Sequence, residues 1–233
     1  MKVGLLADIH ANAPALRVVL EAASRLGVDT LLVAGDLVGY YFEPSVALEL
    51  LKPWRKHMVR GNHEEMLARA LGSAEYLAEV TRKYGSGIEV AISQLSPSDR
   101  HLLCNLPHSL TIELDGRKIF LCHGSPNDAD SYIYPDSSLA SMEDAALAEM
   151  DLIVAGHTHY PMLRATSSGS LVVNPGSVGQ PRNRVPGAHW GLYDTATGAV
   201  SLFCENYDYT CLQAEAKKRH PTLPYLSEVL SRR

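Results

Sequence analysis

Short apolar runs alternate with helical stripes along the first third of the chain. Lys2 to Ala7 is an apolar run ended by a polar group, the signature of a buried parallel strand. From Pro14 to Leu26, apolar residues at Leu16, Val19, Leu20, Ala23 and Leu26 form one helical face, closed by Gly27 at the C′ position. Asp29 to Ala34 predicts a second strand, Pro44 to Leu51 a second helix, Arg55 to Arg60 a third strand and His63 to Leu71 a third helix. Alternation at this pace predicts an α/β fold with right-handed crossovers and a largely parallel sheet. Glu75 to Leu106 keeps a helical pattern. After it the period shortens: Leu110 to Leu114 and Lys118 to Cys122 flank Asp115-Gly116, a strong hairpin signal. Leu139 to Met150 reads as a helix and Asp151 to Ala155 as a buried strand. Strand-and-turn segments follow at 161–165, 170–173, 189–194 and 200–205, the last pair joined at Thr197-Gly198.

With 233 residues, 46% hydrophobic and 20% charged, the chain predicts one globular domain over its whole length, and no stretch in its middle reads as a linker. A short helical extension is expected at 212–233. The net charge of -5 argues against a broad basic face for nucleic acid, and no stable nucleic-acid complex is expected. It leaves a nucleotide substrate open, because bound cations supply positive charge locally. Cys104, Cys122, Cys204 and Cys211 lack CxxC spacing and predict no disulfide framework, with Cys122 and Cys204 as buried thiols. Asp8 and His10 interrupt the N-terminal apolar run before it reaches secretory length, and no stretch approaches a membrane span, so a cytoplasmic, membrane-free protein is expected.

The chemistry lies where the strands end. Five apolar runs finish in Asp8-Ile9-His10, Gly35-Asp36, Gly61-Asn62-His63, His123-Gly124 and Gly156-His157-Thr158-His159. Ligands of open α/β sheets gather outside the carboxyl ends of strands, so these clusters can converge. Extended backbone at Asp8/His10 and at His157/His159 would turn each i, i+2 pair to one side. Imidazole, carboxylate and amide oxygen without thiolate suit Mn, Fe or Zn. Seven ligands exceed one tetrahedral ion but fit two ions sharing a carboxylate. Asp36 after its buried run reads as that bridge, and otherwise as a helix N-cap or turn residue; Asn62 reads as a ligand, an N-cap, or both.

The ordered series DxH, GD, GNH, HG and GHxH resembles the calcineurin-like metallophosphoesterases, and the 174–182 stretch Asn-Pro-Gly-Ser-Val-Gly-Gln-Pro-Arg resembles their small bacterial and archaeal phosphodiesterase branch. The likeness runs from Met1 to about Glu205. It implies a four-layer α/β/β/α sandwich of two mixed sheets flanked by helices, with the site at one edge of both sheets. It also implies two divalent metal ions, Mn2+ first, with Fe, Zn or Ni as alternatives. Asp8, His10 and His159 would hold one ion, Asn62, His123 and His157 the other, and Asp36 would bridge them. His63 would stand over the substrate phosphate as leaving-group acid or transition-state stabiliser. Two ions roughly 3.5–4 Å apart lower the pKa of a water held between them, and the resulting hydroxide attacks phosphorus in line.

The implied enzyme is a phosphodiesterase acting on a small phosphoester or nucleotide. The rivals are a phosphomonoesterase or nucleotide phosphatase with the same site, and a non-catalytic protein-interaction scaffold. The family often has Gly and Asp where this chain has Ala11 and Glu64; an Asp there would orient the catalytic imidazole, a task the longer Glu64 either shares or abandons. Arg182 reads as a solvated surface residue or a phosphate contact. His57, His101, His108, His189 and His220 are assigned structural or surface roles, with His189 the first exception to look for. Lys217-Lys218-Arg219 reads as a solvated helix face. Leu223 to Leu230 reads as a small amphipathic helix that docks on the core or on a partner subunit, as in a homo-oligomer.

Overall fold

A computed structural model describes residues 1–143 and 147–233. Its first sheet is built from β1 (Lys2–Leu6), β2 (Thr30–Ala34), β3 (Lys56–Val59), β9 (Ala188–Asp194) and β10 (Ala199–Glu205), in the order β10-β9-β1-β2-β3. The three N-terminal strands run parallel, and β9 and β10 add antiparallel pairs at one side. The second sheet holds β4 (Ser109–Leu114), β5 (Arg117–Cys122), β6 (Leu152–Val154), β7 (Met162–Ala165) and β8 (Leu171–Asn174), in the order β4-β5-β6-β8-β7. Strands β5, β6 and β8 are parallel; β4 and β7 pair antiparallel at the two edges.

Strand period two divides the apolar residues between two cores. Val3 and Leu5 of β1 and Leu32 and Ala34 of β2 face the second sheet, meeting Ile119, Leu121, Leu152, Val154 and Val173. Leu6, Leu31 and Val33 face the opposite way, under helices. A strand buried on both faces must be apolar at every position, which is why these runs show no alternation. Each fully buried aliphatic side chain contributes about 1.5–3 kcal/mol relative to exposure.

The helices covering the first sheet include α1 (Ala13–Arg25), α2 (Pro44–Leu51), α3 (Asn62–Gly72), α4 (Ala74–Tyr84), α5 (Gly87–Gln94) and α6 (Pro97–Cys104). Helix α1 starts at Asn12, whose side chain accepts from the Ala15 N–H at 3.2 Å, and stops at Gly27, with φ 71°. The hairpin turn Asp115-Gly116 has φ of 50° and 77°, the left-handed pair that joins twisted strands tightly. On the outer face of the second sheet, Ile133, Leu139, Met142 and Leu147 cover Cys122, Ile153 and Val172. The helix expected over 139–150 is not formed as such. A single 3-10 turn spans Ala140–Met142 and a turn follows at 147–149, while 144–146 lie outside the described residues. Ser137 and Ser138 compete for backbone hydrogen bonds there: their hydroxyls accept from the N–H groups of Tyr134 and Ala140.

The C-terminal segment forms α7 (Thr210–Arg219) and α8 (Tyr225–Glu228). Leu212, Ala216, Leu226 and Leu230 pack on Tyr40, Tyr41 and Phe42, the loop between β2 and α2, and the Tyr41 hydroxyl donates to the Leu226 carbonyl at 3.1 Å. This segment therefore docks on its own chain, beside the ends of the strands. All four cysteines are free; Cys122 is buried and Cys204 half-buried. Among the described residues no helix is long and apolar enough to cross a membrane.

Candidate dinuclear metal centre

Asp8 follows β1, Asp36 follows β2, Asn62 opens α3 after β3, His123 follows β5, and His157 and His159 follow β6. The five strand ends meet where the two sheets abut. Backbone bonds continue past the strands and lock these loops together: Asp8 N–H to Gly35 O at 3.1 Å, His10 N–H to Asp36 O at 2.9 Å, and Gly156 N–H to His123 O at 2.7 Å. Among the bonds that cross between the sheets, His123 Nδ1–H donates to the Ala34 carbonyl at 2.6 Å and the His157 N–H to Asp8 Oδ1 at 3.1 Å.

The paired ligands face one place for a reason other than extended backbone. Asp8 and His10 have φ of 54° and 50°, and His157 and His159 of 69° and 61°; Asp36 has 55°. The left-handed region is costly for non-glycine residues, on the order of 1–3 kcal/mol each, and persists where surrounding structure holds it. Five of the seven expected ligands sit there, which marks the cluster as built for chemistry at the expense of local comfort.

Asp36 lies at the centre. Its Oδ2 is 3.4 Å from His123 Nε2, 3.7 Å from His10 Nε2 and 4.0 Å from His63 Nε2. Its Oδ1 accepts the His63 N–H at 2.9 Å, capping the first turn of α3. A Cβ on Gly61 would collide with that oxygen, so the close approach needs glycine. Asp8, His10, Asp36 and His159 form one group of ligand atoms, and Asp36, His123 and His157 a second that shares Asp36. Asn62 Oδ1 completes the second group, 3.1 Å from both His123 Nε2 and His157 Nδ1. The Asn62 amide is not the N-cap of α3; Gly61 occupies that position.

The donor set fits divalent cations on chemical grounds. His10 Nδ1–H donates to the Val38 carbonyl at 3.1 Å and His159 Nδ1–H to the Gln180 carbonyl at 2.5 Å, so both Nε2 atoms carry lone pairs. Those two lone pairs face each other at 3.1 Å. On the other side of Asp36, His157 Nδ1 and His123 Nε2 lie 3.2 Å apart, with His123 holding the proton until a cation takes its place. Asp8 Oδ2 is buried without any partner. Opposed lone pairs and an orphaned carboxylate oxygen are what a cation between them would satisfy, and remote N–H groups tied to carbonyls orient imidazoles for ligation.

The electrostatics agree. Burial and the neighbouring His63 push His10 well below the ordinary histidine range, and burial with Arg182 does the same for His159. Burial and His123 take His157 down to about 4. Burial opposes charge on His123 too, but the Asp36 carboxylate beside it wins and raises it to about 10. Burial would likewise raise Asp36, yet His123, His63 and His10 hold it well below the usual carboxylate range. Burial pushes Asp8 up to about 7, with Asp36 adding repulsion. Without cations, the Asp36 carboxylate and the His123 imidazolium offset each other here, and burial favours the neutral form of the other imidazoles.

His63 is buried, its ring 4.6 Å from Tyr40, 4.7 Å from His10 and 5.8 Å from Tyr84. A Cβ on Gly39 would strike His63 Nδ1, so that nitrogen lies against bare backbone and has no partner, and Nε2 is the atom turned toward Asp36. Burial lowers its pKa, with Asp36 opposing. Glu64 does not touch the imidazole. Its carboxylate accepts from the N–H groups of Asp36, Leu37, Val38 and Gly61 at 2.9, 2.8, 3.2 and 2.8 Å. Arg182 is half-buried rather than solvated: Nη2 donates to the Tyr40 hydroxyl at 3.1 Å and to Gln180 Oε1 at 3.0 Å.

The 174–182 stretch braces the ligand loops. Asn174 donates to the Gly156 carbonyl at 2.6 Å, Ser177 to the Asp8 carbonyl at 2.7 Å, and the Gln180 backbone carbonyl accepts from His159 Nδ1–H. Sequence reasoning missed this bracing and the tyrosines around the site, Tyr40, Tyr84 and Tyr132, the last with its ring 4.1 Å from His157. No spacing signals them; only the small polar residues around Pro175 hint at a tight, hydrogen-bonded loop. The remaining histidines stay outside the cluster. His189, buried, bonds the Val185 carbonyl at 2.9 Å; His220 bonds Ser86; His108 and His101 are exposed; His57 is half-buried on β3.

Residues 1–198 match the family model of the calcineurin-like phosphoesterase superfamily domain. The chain is 28% identical to the phosphodiesterase YfcE of Escherichia coli, over 87% of this chain and 92% of that protein. It is similar to the crystal structure of a metallophosphoesterase from Sphaerobacter thermophilus, with 27% identity, a TM-score of 0.79, and 100% of this chain and 98% of that one covered. A hypothetical protein from Pyrococcus horikoshii shares the fold at a TM-score of 0.84 and 24% identity, over 99% and 98% of the two chains. This chain belongs to the calcineurin-like phosphoesterase superfamily and is a phosphoester hydrolase with a cluster of metal-binding residues.

Proposed function

We propose that this chain is a metal-dependent phosphodiesterase acting on small phosphoesters, with two Mn2+ ions as its working cations. The observation that carries the reading is the pair of opposed imidazole contacts, 3.1 Å and 3.2 Å, on either side of Asp36. In it, Asp8, His10 and His159 would hold one cation, Asn62, His123 and His157 the other, and Asp36 would serve both. When bound, the pair of cations supplies Lewis acidity for activating water and offsetting charge on the phosphate.

The chain's own residues do the rest. The Val38, Gln180 and Ala34 carbonyls fix the ligand imidazoles, so little reorganisation is needed when charge develops. Arg182 lies close enough to the cluster to offer its guanidinium to the non-bridging phosphate oxygens, a geometry that suits paired hydrogen bonds. Protonated on both ring nitrogens by a proton taken up from solvent, His63 would give its Nε2 proton to the departing alkoxide and return to neutral imidazole, while Gly39 and Tyr40 keep the ring from turning away. A diester suits the site because YfcE, named a phosphodiesterase, aligns over most of both chains.

The test is turnover of bis(p-nitrophenyl) phosphate against p-nitrophenyl phosphate by protein incubated with Mn2+, before and after chelation. The diester should be cleaved faster, and chelation should abolish both activities. Turnover of neither ester with Mn, Fe, Zn or Ni would sink the reading.

A further inference from the structure

Beside the metal cluster lies a cleft of about 240 Å³ whose walls come from three parts of the chain. Tyr134 and Tyr160 enter from the segments flanking β6, Tyr225 from α8, and Arg182 and Gln180 from the bracing loop. That volume is below the ~300–1,000 Å³ of pockets that enclose a whole ligand, so the cleft suits one arm of a substrate anchored elsewhere. The anchor is adjacent. The Gln180 backbone carbonyl accepts a hydrogen bond from His159 Nδ1–H, and the Arg182 backbone N–H reaches the His159 carbonyl at 3.4 Å. Arg182 Nη2 in turn bonds Tyr40, whose ring packs on His10 and His63. One guanidinium therefore touches both the rim of the metal cluster and the cleft.

The cleft's aromatic walls are partly open. Tyr134 and Tyr225 are each 38% exposed; Tyr134 stacks on Tyr132 at 5.9 Å and meets Tyr160 edge to face at 5.6 Å, and Tyr225 meets Tyr40 edge to face at 6.4 Å with its hydroxyl donating to the Lys83 carbonyl. Glu228 and Arg232 add an acceptor and a donor to the lining. Tyrosine faces with polar groups around them match a planar heterocycle with hydrogen-bonding edges better than an alkyl chain. Stacking of a base on an aromatic side chain is worth about fivefold to a hundredfold in affinity.

We propose that this tyrosine cleft binds a nucleobase, making the substrate of the neighbouring metal centre a nucleoside phosphodiester. The inference rests on the phosphoesterase reading for the catalytic step but not for binding. The experiment compares two esters that release the same nitrophenolate, thymidine 5′-(p-nitrophenyl phosphate) and methyl p-nitrophenyl phosphate, with Mn2+-supplemented protein. The nucleoside ester should lead by about fivefold to a hundredfold in kcat/KM, chiefly through KM. That ratio should fall toward one in Tyr134→Leu and Tyr225→Leu, and persist in Tyr134→Phe, which keeps the ring. Phenyl p-nitrophenyl phosphate is the control: if it equals the thymidine ester, the cleft is a general aryl site and the nucleobase assignment is overturned. Equal rates for the thymidine and methyl esters overturn it too. Should neither ester be cleaved, calorimetric affinities of thymidine 5′-monophosphate and methyl phosphate decide. Tighter thymidine binding then supports the cleft while the hydrolase reading fails; equal affinities overturn the cleft.

Discussion

Glu64 Oε2 accepts the backbone N–H of Asp36 at 2.9 Å, so the carboxylate that follows the GNH motif supports the Asp36 loop directly rather than through His63. The same side chain also takes the N–H groups of Leu37, Val38 and Gly61, tying the loop after β2 to the start of α3. Burial, with the Asp36 charge nearby, raises its pKa to about 7, while all four partners are donors that favour the ionised form. Asp36 keeps its left-handed backbone because Glu64 holds the peptide on that side.

Glu64→Gln should therefore cost stability and metal affinity together. An amide turned toward backbone N–H groups leaves buried donors unpaired, at about 1–3 kcal/mol. Cation binding should weaken by about 10–100-fold, as for other groups that orient ligands without touching the metal. Urea denaturation and a titration with Mn2+ measure the two. A variant with the parent midpoint and the parent affinity would show that Glu64 is a bystander.

Cation binding should expel a proton from His123. In the cation-free chain its pKa is raised to about 10, above the ~6.5 of an unfolded chain. The pairing with Asp36 then stabilises the cation-free fold fully below about pH 6.5, and that contribution is lost as pH rises through about 10. At pH 8 the imidazole is protonated, and ligation requires its Nε2 lone pair. Calorimetry in two buffers of different ionisation enthalpy should find about one proton released per chain at pH 8, and less above pH 10. No buffer dependence at pH 8 would mean His123 does not ligate.

Arg182→Ala should lower kcat/KM for diesters by about 10–100-fold, the worth of a hydrogen bond to a charged group. Arg182→Lys should recover only part of the loss, since an ammonium cannot reproduce the planar fork. Both variants should bind the cations as the parent does, because Arg182 contributes no ligand atom. Unaltered kinetic constants in Arg182→Ala would return this residue to a purely structural role.

The strands and the convergence of the candidate ligands were legible because each parallel strand is buried on both faces and ends in a residue type that a packed core would not choose. Asp8, Asp36 and His123 stand out against Val-, Leu- and Ile-rich runs, and the order of the motifs completes the pattern. The expected sideways match of Asp8 with His10 had the wrong cause, because left-handed φ values leave no trace in residue spacing unless glycine marks them. Ala11, with φ 54°, is instructive: the family's glycine would sit there without strain. The helix expected over 139–150 rested on apolar spacing; among the described residues, Leu139, Met142 and Leu147 cover the second sheet from around a 3-10 turn at Ala140–Met142 and a turn at 147–149. Tyr132, Tyr134 and Tyr225 come from distant segments, and only tertiary structure brings them beside the metal centre.

His63 allows a sharper discrimination, between proton donor and charge stabiliser. Its Nε2 is turned toward Asp36 and its Nδ1 against Gly39, so an acid at this place has one working nitrogen. Positioned acid catalysis contributes about 10²–10⁴-fold where the leaving group needs a proton. Nitrophenolate leaves without one; an alkoxide does not. His63→Asn should thus slow cleavage of a dialkyl or nucleoside alkyl diester by about 10²–10⁴-fold and of bis(p-nitrophenyl) phosphate far less, with cation content unchanged. Kinetics across a series of leaving groups, with elemental analysis of the same samples, make the comparison. Equal losses for good and poor leaving groups would assign His63 to stabilising charge on the phosphate, and loss of bound cations would assign it to holding α3 and Asp36 in place.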